Sequence, residues 1–229
     1  PYDFYSIRYI FAGAEKLQDN VRSLWQEKFG IRILEGYGAT ETSPVISINT
    51  PMQNKAGTVG RLLPEINYTL KSVEGVEDGG KLVISGPNIM LGYYLANNPG
   101  QLVKLKDGFY DTGDIVSIDK EGFITIKGRA KRFAKIGGEM VSLTAVEESI
   151  SNFSKDFLHA VIALPDEKKG EKLILITEDE TLDRQKLSVH FKKLGISELS
   201  VPKTINHIHK LPLLGTGKVD YVQLATSFV

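Results

Sequence analysis

Gly128-Arg129-Ala130-Lys131 marks the point at which the texture of this 229-residue sequence changes. Upstream, from Glu35 to about Lys127, glycine and proline recur every few residues and the apolar runs are short, a pattern typical of β structure. Downstream, apolar residues recur at both helical and strand spacing over about 100 residues, which is a common domain size. The sequence therefore predicts an α+β protein that divides into residues 1–128 and residues 129–229.

Short β elements dominate the prediction for residues 1–128. A strand, a helix and a second strand are predicted first, at residues 8–11, 17–25 and 31–34. The clearest hairpin lies further on, where residues 115–118 and 123–126 flank a turn that begins with Asp119 and ends with Gly122. Because a type I turn favours aspartate first and glycine last, this sequence predicts a hairpin directly.

Helices and strands alternate in the prediction for residues 129–229. Thr144 and Glu147 have the spacing of a capping box, which predicts the start of a helix. The elements predicted next are residues 158–164 and 172–177 as strands, a helix around Leu187 that Gly195 ends, and residues 204–208 as a strand. A glycine-rich loop at residues 212–218 follows the last strand.

The composition excludes several classes of protein. Lys plus Arg and Asp plus Glu both number 28, so the formal charge is zero and no nucleic-acid footprint is expected. The chain contains no cysteine, which excludes disulfides, thiolate metal sites and a cysteine nucleophile. No apolar run approaches the roughly 18 residues of a membrane span, so the chain is predicted to be soluble. Since it begins with Pro1 rather than Met, we expect a fragment of a longer protein.

The first candidate motif is Gly36-Tyr37-Gly38-Ala39-Thr40-Glu41-Thr42-Ser43-Pro44, which follows a predicted strand. Its glycines allow the backbone to approach a phosphate, and Thr40 carries a hydroxyl that can donate a hydrogen bond. Glu41 offers oxygen to a hard cation such as Mg²⁺. A plain surface turn is the alternative interpretation of the same residues.

The second candidate motif, Tyr110-Asp111-Thr112-Gly113-Asp114, lies at the entrance to the predicted hairpin. A carboxylate at a strand end can accept hydrogen bonds from both hydroxyls of a ribose. The alternative is an Asx-type turn that starts a strand. Arg129 follows the second hairpin strand, so the pairing predicts that Arg129 and Asp114 lie at the same end and reach one ligand.

The third candidate motif is Gly215-Thr216-Gly217-Lys218. It is not a Walker A loop, because that loop requires Gly where Pro212 stands and Ser or Thr where Val219 stands. The motif is then a flexible loop that presents one lysine, and Lys218 can act as a mobile point charge on a developing oxyanion. A solvated lysine without a role is the alternative.

In their order and spacing, five segments resemble the core motifs of the adenylate-forming superfamily, which includes acyl-CoA synthetases, peptide-synthetase adenylation domains and luciferase. They cover nearly the whole chain and lie at residues 36–41, 80–86 with 92–93, 110–114, 128–147 and 212–218. The resemblance is to the carboxyl-terminal portion of the family. It implies that residues 1–128 end the large AMP-binding domain as a β-barrel-like subdomain, and that residues 129–229 form a mobile α+β lid.

The resemblance also implies a binding site for ATP or AMP and Mg²⁺. Adenine would lie against Tyr37 and Gly38, with Gly13-Ala14-Glu15 lining the same pocket. Thr40 would hydrogen-bond the α-phosphate, and Glu41 would hold Mg²⁺.

Five further roles follow from the same resemblance. Asp114 would accept the ribose hydroxyls with the assistance of Arg129, and Lys218 would bridge the acyl carboxylate and the phosphate during adenylation. Lys131 would be the hinge, although most members carry Asp there, and Gly138 would contact a phosphopantetheine arm.

Residues 128–143 and 212–218 resemble one branch more closely, the synthetase half of bifunctional 2-acylglycerophosphoethanolamine acyltransferase/acyl-acyl-carrier-protein synthetases. This implies that ATP activates a fatty acid as acyl-AMP, which is then passed to the thiol of acyl carrier protein. The other half of such enzymes re-acylates lysophosphatidylethanolamine at the bacterial inner membrane. Because the family's Ser/Thr/Gly-rich nucleotide loop lies upstream of the residues present, we expect the fragment alone to be inactive.

Two alternatives remain open. Transfer of the acyl group to coenzyme A would make the protein a fatty-acyl-CoA synthetase. A non-catalytic nucleotide-sensing or protein-docking module belongs to a different class. Thr40, Glu41, Asp114, Arg129 and Lys218 together argue against the module, because a scaffold has no need of all five chemical types.

Overall fold

The computed structural model describes residues 2–227, which form two compact units. The first unit contains the residues up to Val73 together with Asp78–Ile126, and the second contains Glu74–Glu77 together with the residues from Lys127 onward. The elements that begin in the first unit are β1 (Ile10–Ala12), α1 (Asp19–Phe29), β2 (Ile33–Gly38), β3 (Val45–Ile48), β4 (Arg61–Leu62), β5 (Asn67–Lys71), β6 (Gly80–Ser85), β7 (Gly92–Tyr94), β8 (Leu102–Lys104), β9 (Tyr110–Ile118) and β10 (Ile124–Arg129).

The first unit is built on two four-stranded sheets. β1 and β2 are parallel, with Ile10 opposite Ile33, and α1 connects them as predicted. β3 and β4 extend this sheet, while the second sheet has the order β10-β9-β6-β5 and β7 pairs with β8 alone. The α+β class is confirmed. In residues 2–227 the sheets are open rather than barrel-like, because β5 and β10 both remain edge strands of their sheet.

The hairpin turn between β9 and β10 forms as predicted. The Gly122 amide donates to the Asp119 carbonyl at 2.9 Å, and the Asp119 carboxylate accepts the amides of Glu121 and Phe123, both at 2.9 Å. Gly122 has φ +85, a conformation that costs glycine little. Short-range hydrogen bonds therefore define this turn, and Lys55 adds a long-range contact 2.6 Å from the Asp119 carboxylate.

A shared core joins the two sheets of the first unit. Its members are fully or almost fully buried and come from β3, β6, β9 and β10: Ile46, Leu82, Ile84, Val116 and Ile124. Tyr37 on β2 is partly buried against this cluster. The core thus fixes the strand that carries the first candidate motif.

The second unit continues with β11 (Phe133–Ile136), β12 (Glu139–Ser142), α2 (Leu143–Phe153), β13 (His159–Asp166), β14 (Gly170–Thr177), α3 (Arg184–Lys193), β15 (Thr204–His207) and α4 (Tyr221–Ser227). The sheet order is β12-β11-β14-β13, with β15 parallel to β14. Side chains alternate across β14, so that Leu173 and Leu175 enter one core cluster with α2 and α3, while Ile174 and Ile176 enter another with Leu224 of α4.

The predicted start of α2 is corrected by the structure. Ser142 is the N-cap, and its hydroxyl accepts the Ala145 amide at 3.2 Å. Glu147 does not complete a capping box with Thr144. Its carboxylate instead lies 2.6 Å from the guanidinium of Arg132, because a charge-assisted pair is a stronger partner for a largely buried carboxylate than a backbone amide at an exposed helix end.

A buried polar cluster supports the second unit. Asp179, which is 5% exposed, accepts hydrogen bonds from the hydroxyls of Ser154 and Thr181, both at 2.7 Å. His159 lies 2.8 Å from both the Thr177 hydroxyl and the Ser154 carbonyl oxygen. Since the Ser154 hydroxyl is bound to Asp179 and not to His159, these residues are a structural network and not a nucleophilic triad.

Asp179→Asn is expected to destabilise the second unit by about 1–3 kcal/mol, because it replaces one of the two acceptor oxygens of a buried network with an NH₂ donor. Burial acts to raise the pKa of Asp179, but hydrogen bonds from Ser154 and Thr181 outweigh it and hold the pKa below its ordinary range. A depressed pKa stabilises the fold above about pH 4, and this contribution is lost as the pH falls further. Thermal unfolding against pH should show the difference in Tm shrinking below that pH. The exposed Asp156→Asn should leave Tm unchanged; an equal effect there would contradict the assignment.

Candidate nucleotide site

The Gly36–Pro44 segment forms a closed turn between β2 and β3. Thr42 is fully buried, and its hydroxyl accepts the Ala39 amide at 2.9 Å and lies 2.7 Å from the Pro44 carbonyl oxygen. Asn88 donates to the Thr42 carbonyl at 2.6 Å and to the Val45 carbonyl at 2.8 Å. Thr42 and Asn88 therefore hold the turn, a role that sequence reasoning did not foresee.

Gly38 is required by this turn on steric grounds. A Cβ at Gly38 would lie 1.8 Å from the carbonyl oxygen of Pro44, which no side chain can do. The closed turn leaves Thr40 exposed. The hydroxyl that sequence analysis assigned to a phosphate is thus accessible, whereas the neighbouring Thr42 is a structural residue.

Glu41 is held from two sides. Its backbone carbonyl accepts the Met90 amide at 2.9 Å, and its Oε1 accepts the hydroxyl of Tyr93 on β7 at 3.0 Å. Burial, followed by the hydrogen bond to Glu41, raises the pKa of Tyr93, which therefore stays a hydrogen-bond donor at neutral pH. Tyr93 lies within a segment that carries the family resemblance, but no sequence pattern indicates that it reaches Glu41.

Tyr37 and Asp114 meet although they are 77 positions apart, since the Tyr37 hydroxyl donates to the Asp114 carboxylate. Asp114 is 5% exposed, and the Thr112 hydroxyl accepts its amide at 3.1 Å while donating to the Leu82 carbonyl at 2.9 Å. An aromatic face and a carboxylate acceptor therefore lie side by side. These are the two groups that the sequence analysis assigned to adenine and ribose.

A bulge in β9 directs the Asp114 side chain. Lys81 is opposite Ile115 and Val83 is opposite Asp111, so the three residues 112–114 face a single residue of β6. Gly113 takes φ +72 within this bulge. Bulges of this kind re-aim side chains at functional sites. The sequence placed Asp114 at a strand entrance, whereas the structure places it inside β9.

Asp111 behaves differently from Asp114. Its carboxylate lies 2.6 Å from the Lys81 ammonium, and it accepts the Gly113 amide at 3.0 Å as an Asx turn does. Burial acts to raise the pKa of Asp111, but the hydrogen bonds from Lys81 and from the Gly113 amide, together with the nearby lysine charges, outweigh it and lower the pKa. The Asx-turn alternative therefore describes Asp111, and Asp114 is the carboxylate left to face Tyr37.

The Gly13-Ala14-Glu15 turn follows β1 and is exposed. A Cβ at Gly13 would lie 3.2 Å from the Gly36 carbonyl oxygen, so the turn runs beside the start of the first motif. Ala14 has φ +68, which is uncommon for a residue with a side chain.

The remaining candidates belong to the second unit. Arg129 ends β10, and Lys131 is exposed in the helical turn Ala130–Arg132. Gly138 lies in the turn between β11 and β12 with φ +92, and nothing lies within 4 Å of the Cβ that a side chain would add there.

Lys218 lies on a hydrogen-bonded hairpin. The Leu214 amide donates to the Lys218 carbonyl at 2.7 Å, and the Gly217 amide donates to the Leu214 carbonyl at 2.8 Å. Leu213 and Val219 form an antiparallel bridge below the turn. The glycine-rich loop expected from sequence is therefore closed by backbone hydrogen bonds.

Across the described residues, no group of three or more His, Cys, Asp or Glu side chains is arranged to hold a metal ion. Glu41 thus offers a single carboxylate. A site of this kind fits Mg²⁺, which takes one or two carboxylates together with phosphate oxygens and water. Within residues 2–227 no helix is long and apolar enough to cross a membrane.

Comparison with known proteins gives a family model, related sequences and similar folds. Residues 1–94 match the family model described as AMP-binding enzyme. With the relatives and solved structures below, this match supports the adenylate-forming (AMP-binding) superfamily as the family of the chain.

Three relatives illustrate the match. The long-chain-fatty-acid–CoA ligase of Yersinia pestis is 33% identical over 224 residues, covering 95% of this chain and 40% of the ligase. The crystal structure of ATP-bound MatB from Rhodopseudomonas palustris has a TM-score of 0.79 at 26% identity, over 96% of this chain and 45% of MatB. O-succinylbenzoate coenzyme A synthetase from Bacillus subtilis, in complex with ATP and magnesium, shares the fold at TM-score 0.78 and 23% identity, over 96% of this chain and 47% of that one. The chain thus spans less than half the length of these relatives.

Proposed function

We propose that this chain belongs to an ATP-dependent ligase that activates a fatty acid as acyl-AMP and transfers the acyl group to a thiol. The observation that carries the proposal is the pairing of Tyr37 with the buried Asp114. Tyr37 lies on β2, which leads into the turn that contains Thr40 and Glu41. Acceptors for ribose, a face for a base and a hydroxyl for a phosphate are thereby combined in one unit. The names of the relatives as CoA ligases support the same chemistry.

In the first half-reaction, a carboxylate oxygen of the fatty acid attacks the α-phosphorus of ATP. The bond from that phosphorus to its bridging oxygen breaks, and pyrophosphate leaves. Two anions must approach each other, so positive charge near the reacting atoms lowers the barrier. Glu41 would hold Mg²⁺, and the ion would supply part of that charge.

The chain's own residues have distinct parts in this step. Asp114 accepts hydrogen bonds from the ribose hydroxyls, and Arg129 assists it. The Tyr37 ring stacks on adenine beside Gly38 and the Gly13-Ala14-Glu15 turn. Thr40 donates to the α-phosphate, and Lys218 neutralises the carboxylate and phosphate oxygens as charge develops.

In the second half-reaction, a thiolate attacks the acyl carbonyl carbon and AMP leaves with the electrons of the broken C–O bond. Coenzyme A is the acceptor that the names of the relatives favour. Acyl carrier protein is the acceptor that the resemblance of residues 128–143 favours. Lys131 remains the proposed hinge, and Gly138 the proposed contact of the pantetheine arm that both acceptors share.

If acyl carrier protein is the acceptor, the resemblance extends the proposal to the complete polypeptide. It would then carry an acyltransferase half that re-acylates lysophosphatidylethanolamine at the bacterial inner membrane. An assay of lysophospholipid acylation by the complete polypeptide, with pre-formed acyl carrier protein thioester, tests this extension separately from the ligase proposal.

The experiment that tests the ligase proposal is fatty-acid-dependent exchange of pyrophosphate into ATP by the complete polypeptide. Coenzyme A and acyl carrier protein are then offered separately, and the thioester products are measured. Exchange followed by transfer to one acceptor supports the proposal and identifies the acceptor. Absence of exchange would leave the non-catalytic module as the better account, and thermal unfolding with AMP would test that: a nucleotide at 100 times its Kd adds about 2.7 kcal/mol.

Tyr93→Phe is expected to raise the Mg²⁺ concentration needed for half-maximal exchange by about 10-fold or more. The reason is that Tyr93 donates to the Glu41 carboxylate, and loss of a partner that orients a metal ligand typically costs 10-fold to 100-fold. Tyr94→Phe is the matched control, since Tyr94 is its exposed neighbour on β7. Equal Mg²⁺ dependence in the two variants would contradict the role of Tyr93.

A further inference from the structure

Three side chains of the second unit form a compact cluster, which we name the anchor: Arg132, Glu147 and Tyr221. Glu147 Oε1 lies 2.6 Å from Arg132 Nη2 and accepts the Tyr221 hydroxyl at 2.9 Å. The guanidinium carbon of Arg132 lies 3.8 Å from the centre of the Tyr221 ring. Each pair in the anchor is therefore in direct contact.

The anchor is also joined to the central sheet. The Val161 amide on β13 donates to Glu147 Oε1 at 2.6 Å, and Arg132 Nη1 donates to the Val161 carbonyl at 2.9 Å. Val161, on the edge strand β13, thus contacts both charged members. The cluster ties together the turn Ala130–Arg132, α2, β13 and α4.

The anchor is largely withdrawn from water. The side chains of Arg132 and Glu147 are 18% and 13% exposed. Burial first, and then the charge of Glu147, raises the pKa of Tyr221 far above its ordinary range. Tyr221 is therefore a permanent donor, and the carboxylate is held by three donors at one oxygen.

Lys218 is coupled to the anchor by a very short piece of chain. Only Val219 and Asp220 separate it from Tyr221, so the two Cα atoms are at most about 11 Å apart. The Asp220 amide donates to the Pro212 carbonyl at 2.9 Å, which fixes both strands of the hairpin at its base. The turn above this base, residues 213–218, is exposed.

An apolar contact would hold α4 equally well if stability were the only requirement. Leu224 already supplies one, since it is 2% exposed in the core cluster with Leu211. Buried ion pairs add little net stability, but their hydrogen bonds are directional and define one geometry. The anchor therefore orients the base of the hairpin relative to the second unit.

We propose that the anchor positions Lys218. The anchor fixes the direction in which the hairpin projects from the second unit. It therefore fixes the position of the Lys218 ammonium. This inference rests on the proposed function, in which Lys218 acts during adenylation. Arg132 also follows Lys131 directly, so the anchor ties the proposed hinge turn and the lysine hairpin into one body.

The test compares both half-reactions in the complete polypeptide carrying Tyr221→Leu, Tyr221→Phe or Val222→Ala. Val222 is the exposed neighbour of Tyr221 on α4, and its variant is the matched control. We expect Tyr221→Leu to lower pyrophosphate exchange about 100-fold, the cost of a misplacement near 1 Å, and Tyr221→Phe to lower it less. Thioester formation from synthetic acyl-AMP does not use Lys218, so its rate should be unchanged in Tyr221→Leu and in Tyr221→Phe.

An equal loss in both half-reactions would show a general structural defect and overturn the proposal. So would unchanged exchange in Tyr221→Leu. Tyr221→Phe keeps the ring over Arg132 and loses only the hydroxyl, so it remains informative if the leucine variant does not fold. Glu147→Gln keeps an oxygen acceptor but removes the charge. Exchange at the full rate of the unaltered protein in this variant would overturn the role given to the Arg132–Glu147 charge pair.

Limited digestion with trypsin gives a readout that does not depend on activity. The anchor should protect the peptide bond after Lys218, so Tyr221→Leu should speed cleavage there at least about 10-fold relative to the bond after Lys210. No change in that ratio would overturn the anchoring. If the unaltered protein shows no exchange at all, the proposed function fails, and the cleavage ratio still decides whether the anchor holds the hairpin.

Discussion

Lys218→Ala is expected to lower fatty-acid-dependent exchange of ATP and pyrophosphate by about 100-fold to 1,000-fold, the usual cost of removing one donor that stabilises developing charge. Lys218 lies on a turn whose backbone hydrogen bonds are internal, so the loss of its side chain should leave the fold intact. A single cation is being removed from a step in which two anions meet. The effect should therefore appear in kcat of adenylation more than in the Kd for ATP.

Two comparisons make this prediction specific. Lys210→Ala removes an exposed lysine just before the same hairpin and should leave exchange unchanged. Lys218→Arg keeps the charge but changes its shape, so it should restore only part of the rate. Transfer from synthetic acyl-AMP to the thiol acceptor should continue in Lys218→Ala. Full exchange activity in that variant would remove Lys218 from the mechanism and leave it as a solvated lysine.

Asp114→Asn is expected to weaken nucleotide binding by about 10-fold to 100-fold. A hydrogen bond to a charged group contributes about 1.5–3 kcal/mol, and the amide that replaces the carboxylate offers one acceptor oxygen instead of two. The Tyr37 hydroxyl competes for that oxygen, because it already donates to Asp114. The measurement is the Kd of ATP or AMP for the complete polypeptide, by calorimetry or by thermal unfolding at several nucleotide concentrations.

Asp111→Asn is the matched control, because Asp111 belongs to the same motif but pairs with Lys81. It should leave the Kd of the nucleotide unchanged. Tyr37→Phe distinguishes the two proposed roles of Tyr37, because it removes the hydroxyl that donates to Asp114 and keeps the ring that stacks on adenine. Equal weakening in Asp111→Asn and Asp114→Asn would mean that the motif acts only as a turn, and would contradict ribose binding by Asp114.

Local patterns allowed several features to be predicted from the sequence. The turn from Asp119 to Gly122 is one, because every hydrogen bond that defines it lies within five residues. The strand, helix and strand at the start of the first unit are another, because hydrophobic spacing reports which face is buried. Element boundaries were less accurate, since β2 runs on to Gly38 and β9 begins at Tyr110. Pairing with neighbouring strands lengthened both.

Contacts between distant residues were decided only by the tertiary structure. The Tyr37–Asp114 pair depends on a bulge in β9, and the Tyr93–Glu41 pair depends on where β7 lies. Glu147 shows most clearly what local patterns cannot predict. Its spacing from Thr144 predicted a helix cap, and in the fold it pairs with Arg132 instead.

The sequence alone thus determined the α+β class, the local turns and the residue types available for nucleotide chemistry. The tertiary structure decided which of those side chains meet, which are buried and which serve the fold. The physical reason is the distance along the sequence over which each effect acts. Periodicity and turn chemistry act over a few residues, whereas strand register and core packing bring together groups that are up to 77 positions apart, as in Tyr37 and Asp114.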